Sequence, residues 1–455
     1  MAKTIRPGTA DNPESGVTQK KQPSLLASGT SLSVLTLGSR ILGLVREMIK
    51  ASLLGTSALA DAFNVAFMIP NLFRRLFAEN SISVAFIPTF RGYLEDREKE
   101  ETREFLSATM TLIAFLTTLI VAAGIAASPL IVPLFTGENT QALPSETVLL
   151  TRIMFPYLAI ISLAAFFQGI LNGVRIFLPS GFTPILFNIC VIACTYLLAP
   201  FTENPARAMA AGVIIGGIIQ AGFQMPFVLK QGWKFSFTSI NRAFSNPGTR
   251  RVLTLVGPTI IGMAAYQLND IVSTALAGRA GSGIVSSLQY SLRLQELILG
   301  IFAVSIGTVI LPDLSSFAKR ERWGEFNAML SRAMDIIALI TIPVTFFALA
   351  TGENIIILVF RNNRFTDESV RLTLEAFICH IGGLYFIALN RIVSPAFYAQ
   401  GNTKSPTIAG IIGFGINIIL ALLLVTPMRG AGIALALSLA SLGNTIALFV
   451  FLRRN

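Results

Sequence analysis

Charge is scarce in this sequence. Only 13% of its 455 residues are Asp, Glu, Lys or Arg, about half the share usual in a soluble domain. Histidine occurs once, at His380, and cysteine three times, at Cys190, Cys194 and Cys379, all within apolar stretches. That supply makes neither a disulfide framework nor a zinc site. No loop gathers the carboxylates and histidines that acid–base or metal-assisted catalysis needs. No Gly-x-x-x-x-Gly-Lys-Ser/Thr segment is present to hold a nucleotide. Ten-residue alternating segments are also missing, which excludes a membrane β-barrel.

What the chain has in quantity is apolar sequence. Hydrophobic residues make up 53%, and the mean hydropathy is +0.68. A membrane-crossing helix needs about 20 apolar residues, and long apolar runs alternate with short polar ones from Leu25 onward. In lipid each backbone polar group must be bonded within its own segment, so these runs are helices. The pattern predicts twelve of them: 25–50, 58–90, 105–128, 147–173, 182–200, 206–229, 251–278, 283–317, 326–350, 368–399, 405–425 and 430–452. The expected fold is an all-α polytopic membrane protein, with two six-helix lobes around a central cavity. Residues 1–24, rich in Pro, Gly, Ser and Lys, are expected to be a disordered cytoplasmic tail. The first lobe covers 25–230, a basic linker 231–250, and the second lobe 251–455.

The loops test this count. With alternating sides, one side collects Lys and Arg from the N-terminal tail, 91–103, Arg175, 230–251, 319–332, Lys404 and 453–454. The other side holds only Arg207, Arg279, Arg361, Arg364 and Arg429. Such asymmetry places both termini in the cytoplasm. The formal net charge of +11 therefore reports topology, and no nucleic-acid partner is expected. Short matches between the halves, Val84–Pro88 with Thr308–Pro312 and Phe167–Gly169 with Ala399–Gly401, suggest an internal repeat. Transporters are often built from such repeats, with the substrate site between the halves.

Basic residues remain inside the expected helices: Arg40, Arg46, Lys50, Arg74, Arg75, Arg152, Arg293, Arg371 and Arg391. A charge at mid-membrane costs about 2.5–3.5 kcal/mol on insertion scales, so each needs water, a partner or an anionic ligand. Lys50, Arg152, Arg371 and Arg391 lie near helix ends, where long side chains snorkel. In the first helix Arg40, Gly43 and Glu47 share one face. In the second, Pro70 removes a backbone hydrogen bond, which predicts a bend, and Arg75 can pair with Glu79. In the eighth, Arg293 and Glu296 share a face. Two readings compete. Arginine–carboxylate pairs could glue helices together, or arginines from both lobes could line a hydrated cavity suited to diphosphate or carboxylate oxygens.

The stretches Ser39–Glu47, Ala60–Phe63 and Ile69–Glu79, with Arg293-Leu294, Glu296, Gly307–Pro312, Ala396–Ala399 and Thr403–Pro406, closely resemble the lipid II flippases of bacterial cell-wall synthesis, the MurJ/MviN family. The resemblance runs from about residue 25 to 450. That family belongs to the superfamily of multidrug, oligosaccharidyl-lipid and polysaccharide exporters. The resemblance implies a transporter, not an enzyme. It would move lipid II, an undecaprenyl-diphosphate-linked disaccharide-pentapeptide, from the inner to the outer leaflet of the bacterial cytoplasmic membrane by alternating access. It implies substrate handling by Arg40, Arg46, Asp61, Arg74 and Arg293, with Glu47, Pro70, Arg75, Glu79 and Glu296 as gate or pairing residues. It also implies membrane lipids and peptidoglycan-synthesis proteins as partners and a monomeric state. Some relatives bind sodium in the second lobe. Asn269, Asp270 and Asn417 are the residues here with suitable oxygens, a polar packing cluster being the competing reading. Relatives typically have fourteen helices, and an acidic residue often stands where this chain has Leu292. An ion-coupled exporter of drugs or of another lipid-linked oligosaccharide is the alternative function. The arginines argue against organic cations as cargo.

Overall fold

The computed structural model describes residues 25–76, 82–136 and 143–454. The tail expected over 1–24 lies outside these residues, as does Glu79. Every regular element among the described residues is helical. Span 1 is Leu25–Leu54. Span 2 starts as Ala58–Arg74, with the Ser57 hydroxyl accepting from the Ala60 N–H at 3.3 Å, and ends as a π-helical turn, Ile82–Phe86, joined to Ile87–Asp96. Pro70 is buried within its first part, and the wider π turn follows further along. Span 3 is Lys99–Ile131. The charged segment expected as a loop after residue 90 is thus helical except near Arg97 and Glu98. Its Lys and Glu residues are good helix formers, and Arg97 reaches Glu101 one turn on at 3.4 Å.

Span 4 is Pro144–Met154 and Tyr157–Gly173, interrupted at Pro156; span 5 is Leu178–Leu198 and span 6 Pro205–Lys230. The linker holds one short helix, Ile240–Ser245, and is strapped to span 3. The Ser236 N–H donates to Ser107 at 3.4 Å and the Thr238 N–H to Thr111 at 3.1 Å. Spans 7, 8 and 9 are Pro247–Ala280, Ile284–Lys319 and Trp323–Phe360. Span 10, expected to be continuous, is bent by 44° between Asp367–Gly382 and Leu384–Ala399. The final helical stretch, Lys404–Arg454, turns back at Arg429 (φ 47°, ψ −124°). Gly432 packs on the Leu424 carbonyl and Gly443 on Ile416, so spans 11 and 12 form an antiparallel hairpin.

Six helical stretches among the described residues are long and apolar enough to cross a bilayer, and the bent span 10 makes a seventh. One of the six is the span 11–12 hairpin. Spans 1, 2, 7 and 8, which carry most of the in-membrane charges, complete the set of twelve. The core divides along the chain. Clusters around Phe63 and Phe86 belong to the first half, and clusters around Phe326 and Phe397 to the second. Toward the end of the bundle away from the linker, two clusters cross between halves. One sets Val65, Ile69 and Phe135 against Ala277, Val285 and Leu288; the other sets Ala51 against Tyr290, Phe360 and Phe365. Apolar burial thus fastens the halves at that end, while beside the linker Val252 and Leu253 of span 7 pack on clusters of the first half.

Candidate substrate cavity

At that distal end the first turn of span 8 has backbone N–H groups with no partner in their own helix. Asp61, from span 2, supplies the partner. Its Oδ2 accepts from the Gly283 N–H at 2.6 Å and its Oδ1 from the Ser286 N–H at 2.7 Å, and the carboxylate is buried. One half of the chain thus caps a helix of the other. Gly283 has φ +81°, and a Cβ there would strike the Thr56 carbonyl, so glycine is required. Thr56 also donates to Ser369 at 2.7 Å, and Tyr290 donates its hydroxyl to the Gly55 carbonyl at 3.0 Å.

Below this seal lies a cavity of about 250 Å³ lined by Arg40, Leu44, Arg293, Glu296, Leu297 and Arg391. Spans 1, 8 and 10 each contribute an arginine. Among the described residues only one carboxylate lines it, and its contacts are long. Arg293 Nη1 lies 3.4 Å from Glu296 Oε2, and Arg40 Nη1 donates to the Glu296 carbonyl at 3.5 Å. Three guanidinium groups against one carboxylate leave a surplus of positive charge at the seam. Arg40 rests on Gly300 of span 8, and Arg293 rests on Gly43 of span 1.

The expected pairing of Arg293 with Glu296 is present, and Arg40 and Arg293 converge as the shared-cavity reading requires. The other expected substrate residues are elsewhere. Arg46 projects off the Arg40–Glu47 face, donates to Asn188 at 3.2 Å and to Glu47 at 2.9 Å, and packs over Phe187. Glu47 also holds Lys50, whose ammonium donates to Asn64 at 2.9 Å and lies 5.0 Å from the Tyr290 ring centre. Lys50, read as a snorkelling side chain, is buried in this network instead. Arg74 donates to Asn71 at 2.7 Å. Asp61 is occupied as a helix cap. None of these three, Arg46, Arg74 or Asp61, lines the cavity.

Arg391 was the residue missed. Its place near a helix end suggests snorkelling, and in the structure it lines the cavity. Arg75 pairs across the seam with Asp270 at 3.0 Å and reaches Gln267 at 3.4 Å, whereas Glu79 lies outside the described residues. With Asp270 turned to Arg75, the three residues expected around sodium do not converge. Asn417 Nδ2 donates to Asn269 Oδ1 at 2.5 Å and to Ser273 Oγ at 3.3 Å, so an N–H points at the oxygens a cation would use. Asn269 and Asn417 thus meet each other while Asp270 faces Arg75.

Membrane-length helices in two halves, sealed to each other at one end above an arginine-lined cavity, have the architecture of a polytopic membrane transporter. The family described as "Lipid II flippase MurJ" matches residues 50–455. The chain is 52% identical over 442 residues to the probable lipid II flippase MurJ of Treponema pallidum, covering 96% of this chain and 83% of that one. Among solved structures, a lipid II flippase MurJ in an inward closed conformation superposes with a TM-score of 0.81 at 29% identity, over 93% of this chain and 87% of that one. An inward-facing multidrug transporter of the MATE family shares the fold at TM-score 0.67 and 16% identity, over 92% of each chain. The chain belongs to the MurJ family of lipid II flippases.

Proposed function

We propose that this chain carries lipid II from the inner to the outer leaflet of the cytoplasmic membrane, with the diphosphate held by Arg40, Arg293 and Arg391. The observation that carries the reading is the convergence of these three arginines, from both halves of the chain, on a cavity with one carboxylate. Guanidinium forks match phosphate oxygens two at a time, and such charge-assisted bonds are about twice as strong as neutral ones. Without cargo the three like charges repel across the seam. A diphosphate relieves that repulsion and binds best where the halves approach, which is the differential affinity alternating access requires. The acyl chain stays in lipid throughout.

The loop charges support placing the linker end, and both termini, in the cytoplasm. The Asp61 cap and its neighbours are then the periplasmic seal, which must part for release. The interior-negative potential favours outward movement of anionic charge by about 2.3 kcal/mol per charge per 100 mV. No step is assigned to sodium.

The test uses purified protein in vesicles carrying dye-labelled lipid II and a membrane-impermeant quencher. Wild type should render inner-leaflet lipid II quenchable; vesicles in which it stays protected would overturn the assignment. In the same assay Arg391→Gln should slow translocation by on the order of threefold to tenfold. Arg391 is exposed, and an exposed charge is screened by water.

A further inference from the structure

Spans 1 and 8 run antiparallel along the seam in a regular register. Arg40 lies against Gly300, Gly43 against Arg293, and Lys50 against Tyr290. Positions 40, 43 and 50 share one face of span 1, as positions 290, 293 and 300 share one face of span 8. Two of the three cavity arginines, Arg40 and Arg293, therefore each meet a glycine on the opposite helix, one such pair being contributed in each direction across the seam. A Cβ at Gly43 would fall on the Arg293 guanidinium, and a Cβ at Gly300 on the Arg40 guanidinium. At both positions the three nearest atoms all belong to the arginine, so the glycines make room for the two charged groups.

We propose that Gly43 and Gly300 are reciprocal positioning residues, each fixing the guanidinium of the opposite half where it can engage the diphosphate. This deepens the functional reading above and rests on it. Arg40 is anchored in the first half but seated on the second, and Arg293 the reverse. An anion that bridges the two is gripped by both halves at once. A methyl group in either seat would push one fork aside while leaving the helices intact. Alanine is the better helix former, and the displaced atoms are the free end of a flexible side chain.

The test is titration of purified protein with farnesyl diphosphate, a short prenyl diphosphate, into the millimolar range. Gly300→Ala and Gly43→Ala should each weaken binding about tenfold, the loss of one well-aligned charged contact, with thermal stability equal to or above wild type. The losses should couple in matched pairs. On an Arg40→Gln background, Gly300→Ala should add nothing, whereas Gly43→Ala should still weaken binding; on Arg293→Gln the roles exchange. Equal losses from Gly300→Ala with and without Arg40, or wild-type affinity in both alanine variants, would overturn the proposal and leave the diphosphate reading standing. If wild type itself ignores farnesyl diphosphate, the diphosphate reading falls and takes this proposal with it.

Discussion

Arg40→Ala and Arg293→Ala should each fail to support growth when the native protein is depleted, although both variants reach the membrane in normal amounts. Each substitution removes one of three guanidinium groups from a site where Glu296 is the only lining carboxylate among the described residues. A hydrogen bond to a charged partner is worth up to about 3 kcal/mol, on the order of a hundredfold in affinity. The loss acts on the step that draws the halves together, so it reaches the translocation rate as well as binding. Lysine at either position keeps the charge but loses the fork and should recover only part of the activity. Removing Glu296 is a useful contrast. Glu296→Gln increases the positive surplus, so diphosphate should bind more tightly and leave more slowly. Growth assays with matched immunoblots, followed by vesicle translocation rates, check all of these. Normal growth with both alanine variants would show that the cavity does not handle the cargo.

Asp61→Ala should shift the protein toward the state open to the periplasm. The alanine leaves the Gly283 and Ser286 N–H groups at the start of span 8 without their acceptor. Loss of a helix cap costs about 1 kcal/mol and up to about 2, and buried donors raise that cost. Opening the seal exposes those donors to water, so the penalty falls on the sealed state alone. A change of about 2 kcal/mol moves the ratio of the two states on the order of thirtyfold. Thr56 and Ser369, whose hydroxyls lie 2.7 Å apart across the same seal, offer a direct reading. Cysteines at both positions should cross-link efficiently with Asp61 present and poorly with Asp61→Ala. Asp61→Asn keeps one acceptor oxygen and should lie between. Undiminished cross-linking in the alanine variant would remove Asp61 from the gate.

Much of this arrangement could be read from spacing. Hydropathy gave the all-helical fold and the approximate number of spans. The 3.6-residue period placed Arg40, Gly43 and Glu47 on one face and set Arg293 beside Glu296. Periodicity within a helix cannot say which distant helix that face will meet. The resemblance alone gave Asp61 a role with cargo, and no spacing in the sequence shows that its partners are backbone N–H groups more than 200 residues away. Arg46 differs from Arg40 by less than two turns, yet that rotation takes it to Asn188 and Phe187 instead of the cavity. No spacing within span 10 tells that Arg391 meets spans 1 and 8 at the cavity. Lys50 was misread for a similar reason: its neutralising environment is assembled from Glu47, Asn64 and the Tyr290 ring, and only the first of these is close in sequence.

The bend in span 10 breaks the regular backbone bonding where lipid offers no substitute. Ser438 donates to the Cys379 carbonyl at 2.6 Å, and Gln295 donates to the His380 carbonyl at 2.5 Å. The acceptors are therefore taken up by spans 12 and 8, and His380 itself is held by Ser291 at 2.6 Å. An elbow braced from two sides in this way behaves as a rigid bracket and does not swing. Whatever movement carries cargo across the bilayer, Arg391 should travel with the second half as one solid piece, its angle to Arg293 preserved from one leaflet to the other.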